Sequence, residues 1–275
     1  MELSQAIILG AIQGLTEFLP ISSSGHLVLF QKVLGLDKPE IFLDICLHLG
    51  TLMAIVVVFY GELKATALAL VSLLGRSRNK DPSTYLYEKG EVRLVWLIIL
   101  GMIPTGVIGL LFHLVVQKIF SSILLVGIML MITGILLWLT RRVKVGTKDI
   151  SRVSGWDAMV IGAVQGLAAI PGISRSGSTI AVGLFLGMDR QTASCYSFLL
   201  SVPAIIGAAI IEFDYTFAGS VQSIMPILAG TIVAAGVGYF ALKVLLRMIK
   251  RGDLYRFAPY CWLVGVVAIL SSFST

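Results

Sequence analysis

Charge is what this sequence has least of. Lys, Arg, Asp and Glu together make up 13% of its 275 residues, against roughly 25% in a soluble globular domain. That is too little polar surface to cover a water-soluble globule. With 57% hydrophobic residues and a mean hydropathy of +0.95, the chain belongs in a membrane. Cysteine is scarce as well: Cys46, Cys195 and Cys261 are scattered through apolar runs and odd in number, which excludes a disulfide framework or a thiolate metal cluster and leaves packing. No basic stretch or small-x-small cleavage site follows Met1 and Glu2, so no removable signal peptide is expected. The Lys and spacing of a phosphate-binding Walker loop are missing. So are a zinc-binding His-Glu-x-x-His and a serine-protease elbow, which argues against an intramembrane protease.

Six apolar segments are present, at about 41–60, 94–114, 119–139, 192–211, 224–246 and 257–271. Each is long enough, or nearly so, to cross a hydrocarbon core of about 30 Å. The segments 61–93, 141–152, 189–190 and 247–256, together with Lys243, carry 17 of the 21 Lys and Arg. Lys32, Lys38 and Lys118 fall on the opposite side. The positive-inside rule makes the basic side cytoplasmic and puts both termini outside. The net charge of +6 is thus a topology signal, with contact to anionic lipid, and no nucleic-acid partner is implied.

One stretch occurs twice. GAIQGLTEFLPISSSG at 10–25 returns as GAVQGLAAIPGISRSG at 162–177, nine of sixteen positions being identical at an offset of 152. The copies differ at polar positions: Glu17, Ser23 and His26 in the first correspond to Ala169, Arg175 and Ser178 in the second. One copy holds an acid and an imidazole, the other a cation, so a site is expected where the two meet. Pro20 and the Pro171-Gly172 pair stop each stretch from continuing as a helix. Helix, Ser/Gly-rich break and second short helix read as a re-entrant hairpin, at 4–34 and again at 156–188. Such backbone is tolerated at membrane depth only inside protein or a wet cavity. The fold class expected is an all-α polytopic membrane protein with an inverted-topology repeat. Residues 1–140 form the first repeat, 141–152 a basic cytoplasmic link and 151–275 the second repeat, each repeat being one hairpin plus three spans. Inverted repeats with broken helices also characterise transporters, which keeps a lipid transporter or flippase as the alternative.

An ionisable side chain at membrane depth is a functional candidate by default. Glu17 lies one helical turn after Gln13, so the two share a face pointing at the break. Glu17 could hold a hydrated divalent cation or accept a proton from a nucleophile; it could also serve structure, by capping the next helix or pairing with Arg175. Ser22, Ser23 and Ser24 follow, then His26. Ser23 and His26 are three apart on the second short helix, a spacing that suits a nucleophile and its base. In the second break, Ser174, Arg175, Ser176 and Thr179 place a guanidinium among hydroxyls at a helix N-terminus, a combination that binds phosphate. His48, one turn after Asp44, could extend a metal site or form a buried pair with it; His113, near the end of a span, reads as interfacial.

QGLTEFLPISSSGH and PGISRSGST resemble the two signature motifs of the undecaprenyl-diphosphate phosphatase family, the bacitracin-resistance type of bacterial membrane phosphatase. The resemblance covers essentially the whole chain. The Pro-Gly-x-Ser-Arg-Ser-x-x-Thr pattern is met in full at 171–179, whereas position 13 has the Gln form of the first motif, which leaves Glu17 as the sole carboxylate there. The resemblance implies hydrolysis of the terminal phosphate of a C55 polyprenyl diphosphate at the outer face of the plasma membrane. Its product is the monophosphate carrier for peptidoglycan synthesis. The implied catalytic residues are Glu17, Ser23, His26 and Arg175, with Gln13, Ser22, Ser24, Ser174, Ser176 and Thr179 binding substrate. Mg²⁺ or Ca²⁺ is the implied cofactor, met by Glu17 through water and diphosphate; lipid is the partner, and a homodimer is left open. Ser23 or His26 could be the nucleophile. Attack by His26 would leave an acid-labile phosphohistidine, and attack by Ser23 would use His26 as base.

Overall fold

The computed structural model describes residues 1–36, 40–74, 82–115, 122–216 and 224–273, with the side chains of 74, 82–89, 113–115 and 213–216 also set aside. Lys38, Arg76, Arg78, Lys80 and Lys118, used above for orientation, lie outside the described residues, as do the side chains of Lys89 and His113.

The described chain is helical almost throughout. In order it forms α1 (Leu3–Phe18), α2 (Ser23–Val33), α3 (Ile41–Val58), α4 (Tyr60–Leu74), α5 (Pro82–Val115), α6 (Ile123–Leu139), α7 (Gly155–Leu167), α8 (Arg175–Phe185), α9 (Arg190–Thr216), α10 (Ile224–Arg251) and α11 (Ala258–Ser272). Among the described residues six helical stretches are long and apolar enough to cross a membrane: Ile41–Val58, Gly90–Phe112, Ile123–Arg142, Arg190–Glu212, Ile224–Arg251 and Leu254–Ser272. They coincide with the six expected spans. Large apolar side chains such as Ile232, Phe240, Leu263 and Leu270 stand exposed on them, the surface that a lipid solvent requires. The segment 61–93, expected as a loop, is helical over much of its length. Its LKATALALVSLL run is rich in Ala and Leu, strong helix formers, and in α4 Leu68 and Val71 remain exposed.

Helices α1 and α7 are only 16 and 13 residues long, about 24 and 20 Å at 1.5 Å per residue, too short to cross alone. Capping residues set where they begin. The Glu2 amide donates to Gln5 Oε1 at 2.8 Å, and Ser154 and Asp157 exchange hydrogen bonds at the start of α7, which satisfies amides that no helical carbonyl can reach.

Each short helix packs against a long one from the other half of the chain: α1 on α10, α7 on α5, while α6 pairs with α11. Glycine makes both crossings close. A Cβ on Gly10 would lie 2.3 Å from the Gly230 carbonyl oxygen, and one on Gly162 would lie 2.0 Å from that of Gly101. Contact this tight leaves no room for a side chain. Gly10 and Gly162 are equivalent positions of the sequence repeat, so the duplicated sequence places both breaks by one device. The core lies beside those breaks, where Phe18 and Phe59 both contact Phe198, at ring-centroid distances of 5.9 and 5.5 Å.

Candidate active site

Ser22 holds the two breaks together. It has φ +69°, the only non-glycine described in the left-handed region, a conformation that costs about 1–3 kcal/mol unless its surroundings impose it. Here they do. Ser22 Oγ accepts from the amides of Gly25 at 3.3 Å and Gly172 at 3.0 Å, while its carbonyl accepts from His26 Nδ1 at 2.8 Å. Gly172, itself at φ +100°, accepts at its carbonyl from Thr133 Oγ1 at 2.9 Å, and Ser176 Oγ donates to the Phe18 carbonyl at 2.9 Å. Two chain segments some 150 positions apart are thus fastened by serine hydroxyls of each bonding to the backbone of the other.

At this junction Glu17 is 6% exposed and engages both carboxylate oxygens. Oε1 accepts from Arg175 Nη2 at 2.6 Å; Oε2 accepts from Ser23 Oγ at 2.6 Å and from Gln13 Nε2 at 3.0 Å. A buried carboxylate survives in such surroundings only when paired and hydrogen-bonded. The acid of the first break and the cation of the second therefore meet, as their complementary placement in the two repeats predicts. Both α2 and α8 begin at this point, at Ser23 and Arg175, so two positive helix ends converge on the site.

The expected pairing of Ser23 with His26 does not form. Ser23, the first residue of α2, turns its hydroxyl back to Glu17, while both ring nitrogens of His26 are engaged elsewhere: Nδ1 on the Ser22 carbonyl and Nε2 on Tyr260 Oη at 2.9 Å. Arg175 meets Glu17 directly, the contact that a purely structural role would also use, yet one bond leaves most of its five N–H donors for an anion.

The other predicted residues are buried, except Ser24, which is half-buried. Ser174, Ser176 and Thr179 are buried, with hydroxyls spent on protein: Ser174 Oγ accepts from the Gly177 amide, Ser176 reaches Phe18, and Thr179 bonds the Arg175 carbonyl and Ser197. They shape the loop that presents Arg175. Ser22 does the same for the first break, and Ser24 lies 3.4 Å from it, hydroxyl to hydroxyl. Gln13 is fully buried, and its Oε1 has no hydrogen-bond partner.

Two further residues enter the site. His48 Nε2 is 3.6 Å from Glu17 Oε2. The side-chain pair considered for Asp44 and His48 is absent: His48 Nδ1 meets the Asp44 backbone carbonyl at 2.7 Å, and the Asp44 carboxylate accepts from Gln31 Nε2 at 2.8 Å. Tyr260 stands out in no sequence pattern, because its contact with His26 joins α2 to the last span. Among the described residues no group of three or more His, Cys, Asp or Glu gathers into a metal cluster.

The site can hold a phosphate-bearing anion beside Arg175 and take a proton from Ser23. Similarity to known proteins agrees with that chemistry. The chain is 49% identical over 274 residues to a protein of Desulforapulum autotrophicum named undecaprenyl-diphosphatase, covering 99% of each chain. Proteins of the same name from Desulfatibacillum aliphaticivorans and Methanosphaera stadtmanae are 47% and 43% identical, over 98% and 99% of each chain. The family model described as Bacitracin resistance protein BacA matches residues 6–267, and the chain belongs to that family.

Proposed function

We propose that this chain hydrolyses the terminal phosphate of a C55 polyprenyl diphosphate, releasing inorganic phosphate and returning the monophosphate carrier to peptidoglycan synthesis. Removal of the diphosphate lipid would confer the bacitracin resistance in the family's name. The observation that carries the proposal is the 2.6 Å bond from Ser23 Oγ to a buried carboxylate whose other oxygen holds Arg175. A lipid transporter could use Arg175, but lipid movement does not call for a serine hydroxyl on a buried base.

In the first step Ser23 Oγ attacks the terminal phosphorus and gives its proton to Glu17. The bridging P–O bond breaks, and the lipid monophosphate leaves. Glu17 then releases that proton to solvent. In the second step water attacks the phosphoserine and gives a proton to Glu17; the P–Oγ bond breaks, and Glu17 returns the proton to the serine oxygen, which balances the reaction. His26, with Nδ1 on the Ser22 carbonyl and Nε2 on Tyr260, positions the Ser22 turn that aims Ser23 at Glu17. Arg175 and the two helix N-termini hold the charge of the phosphoryl group, since catalysis of this transfer is mainly positioning and electrostatic stabilisation.

A divalent cation, Mg²⁺ or Ca²⁺, fits the residues present. Glu17 and the buried, partnerless Gln13 Oε1 are hard oxygen donors of the kind these ions take, alongside water and phosphate oxygens. When bound, the cation neutralises charge on the diphosphate. The two halves are read as inverted repeats, each a re-entrant hairpin plus three spans, with basic segments cytoplasmic and the site opening outward and sideways to lipid. That opening suits a prenyl tail lying between spans.

Phosphate release from C55 polyprenyl diphosphate by the purified protein, with and without EDTA, tests the proposal beside Ser23→Ala and Arg175→Ala. Release that EDTA suppresses and both substitutions abolish is the expected result. A folded wild type that binds the lipid and releases no phosphate would exclude hydrolysis.

A further inference from the structure

The end of α6 presents cations without acids. The apolar stretch Ile123–Arg142 closes on Arg141 and Arg142, both exposed. Among the described residues neither guanidinium makes a hydrogen bond or an ion pair. Acids of the adjoining segments are engaged elsewhere: Asp149 with the Ser151 hydroxyl, Asp157 with Lys148 at 3.3 Å and Asp253 with Arg256 at 3.0 Å. Arg141 is nonetheless held in place. Its guanidinium lies over the Trp138 ring, 5.2 Å from the centroid, within the range of a cation–π contact. Trp138 in turn packs on Trp262 of α11 and on Tyr255, at centroid distances of 5.6 and 6.2 Å, so its ring is a fixed floor. Trp138, Arg141 and Arg142 line a recess of about 360 Å³. Ile135, Trp138 and Leu139 share one helical face and are all exposed, so an apolar stripe along the span leads up to the recess.

We propose that this recess binds the phosphate headgroup of an anionic phospholipid, of the phosphatidylglycerol class, at the membrane surface where α6 ends. A guanidinium stacked on an aromatic face keeps its N–H edge free, and that edge matches phosphate oxygens with paired hydrogen bonds. Trp at the end of a span sits at headgroup level, and a basic pocket at that level takes an anionic headgroup. A soluble phosphate would meet the same two arginines. Only a lipid would also cover Ile135 and Leu139, which are 52% and 43% exposed, by laying an acyl chain along them. This binding does not depend on the reaction proposed above.

The test is lipid binding by the purified protein in detergent, read by native mass spectrometry with phosphatidylglycerol and phosphatidylcholine of the same acyl chains. Wild type is compared with two double variants. Arg141→Gln with Arg142→Gln empties the recess of charge; Lys250→Gln with Arg251→Gln removes equal charge from exposed residues outside it. Expected are phosphatidylglycerol binding about tenfold weaker in the first, the scale of one charge-assisted hydrogen bond, and a change under about twofold in the second. A wild type that does not prefer phosphatidylglycerol would overturn the proposal, and so would equal weakening in both doubles, the mark of surface charge alone. Displacement of the lipid by inorganic phosphate at equal concentration would assign the recess to a soluble anion and overturn it too. If the first double lowers the melting temperature in lipid-free detergent, Arg142→Gln alone, which leaves Arg141 on Trp138, carries the test: weaker phosphatidylglycerol binding supports the site and unchanged binding overturns it.

Discussion

Arg175 Nη2 lies 2.6 Å from Glu17 Oε1, joining residues 158 positions apart. The pair is nearly enclosed, the two side chains being 17% and 4% exposed. Opposite charges held this way keep a reactive carboxylate ionised beside Ser23 while leaving guanidinium donors for an anion.

Glu17→Gln keeps the shape and removes the base. We expect kcat to fall by about 10²- to 10⁴-fold, the usual contribution of a positioned general base, with lipid binding retained. Phosphate release and equilibrium binding of the diphosphate lipid, measured on one preparation, check both halves.

Arg175→Lys keeps charge and loses the planar fork. Lys is a point charge, Arg a preformed set of donors, so kcat/KM should fall by about 10- to 150-fold, the value of one or more charge-assisted hydrogen bonds. Turnover at wild-type efficiency would show that only charge is needed.

Gln13→Glu adds the second carboxylate that the first motif lacks here. It should lower the Mg²⁺ or Ca²⁺ concentration giving half-maximal activity, because an anionic oxygen binds these ions better than an amide oxygen. A metal titration after EDTA treatment reads this directly; no change in the midpoint would place the cation away from Gln13.

Gly10→Ala and Gly162→Ala should each destabilise the protein by about 1–3 kcal/mol, the cost of overpacking a close contact. Gly106→Ala, where a Cβ meets nothing within 4 Å, should be neutral or stabilising, because alanine favours helix over glycine. Thermal unfolding in one detergent compares all three.

Much of the fold was legible in the sequence because a span announces itself by length and apolar content, and all six did. Site legibility was uneven. Gln13, Glu17, Ser23 and Arg175 stood out as polar groups beside helix breaks in an apolar chain, and those four converge. The partnership of Ser23 was misread, because spacing on an ideal helix takes no account of a first turn that follows Ser22 at φ +69° and directs the hydroxyl back toward Glu17. Tyr260 gave no usable signal, and His48 was weighed only beside Asp44, since the distance from Tyr260 to His26 and from His48 to Glu17 depends on how separate helices pack.

Hydropathy, charge bias and the duplicated motif, all local properties of the chain, determined by themselves that this is a membrane protein with two helix breaks carrying opposite charges. Which hydroxyl sits on which base, which nitrogen of His26 holds its proton, and which serines build the loop were decided only by tertiary structure. Hydrogen bonds act over about 3 Å, and the packing of α1 on α10, α7 on α5 and α6 on α11 brings the groups of distant segments within that reach.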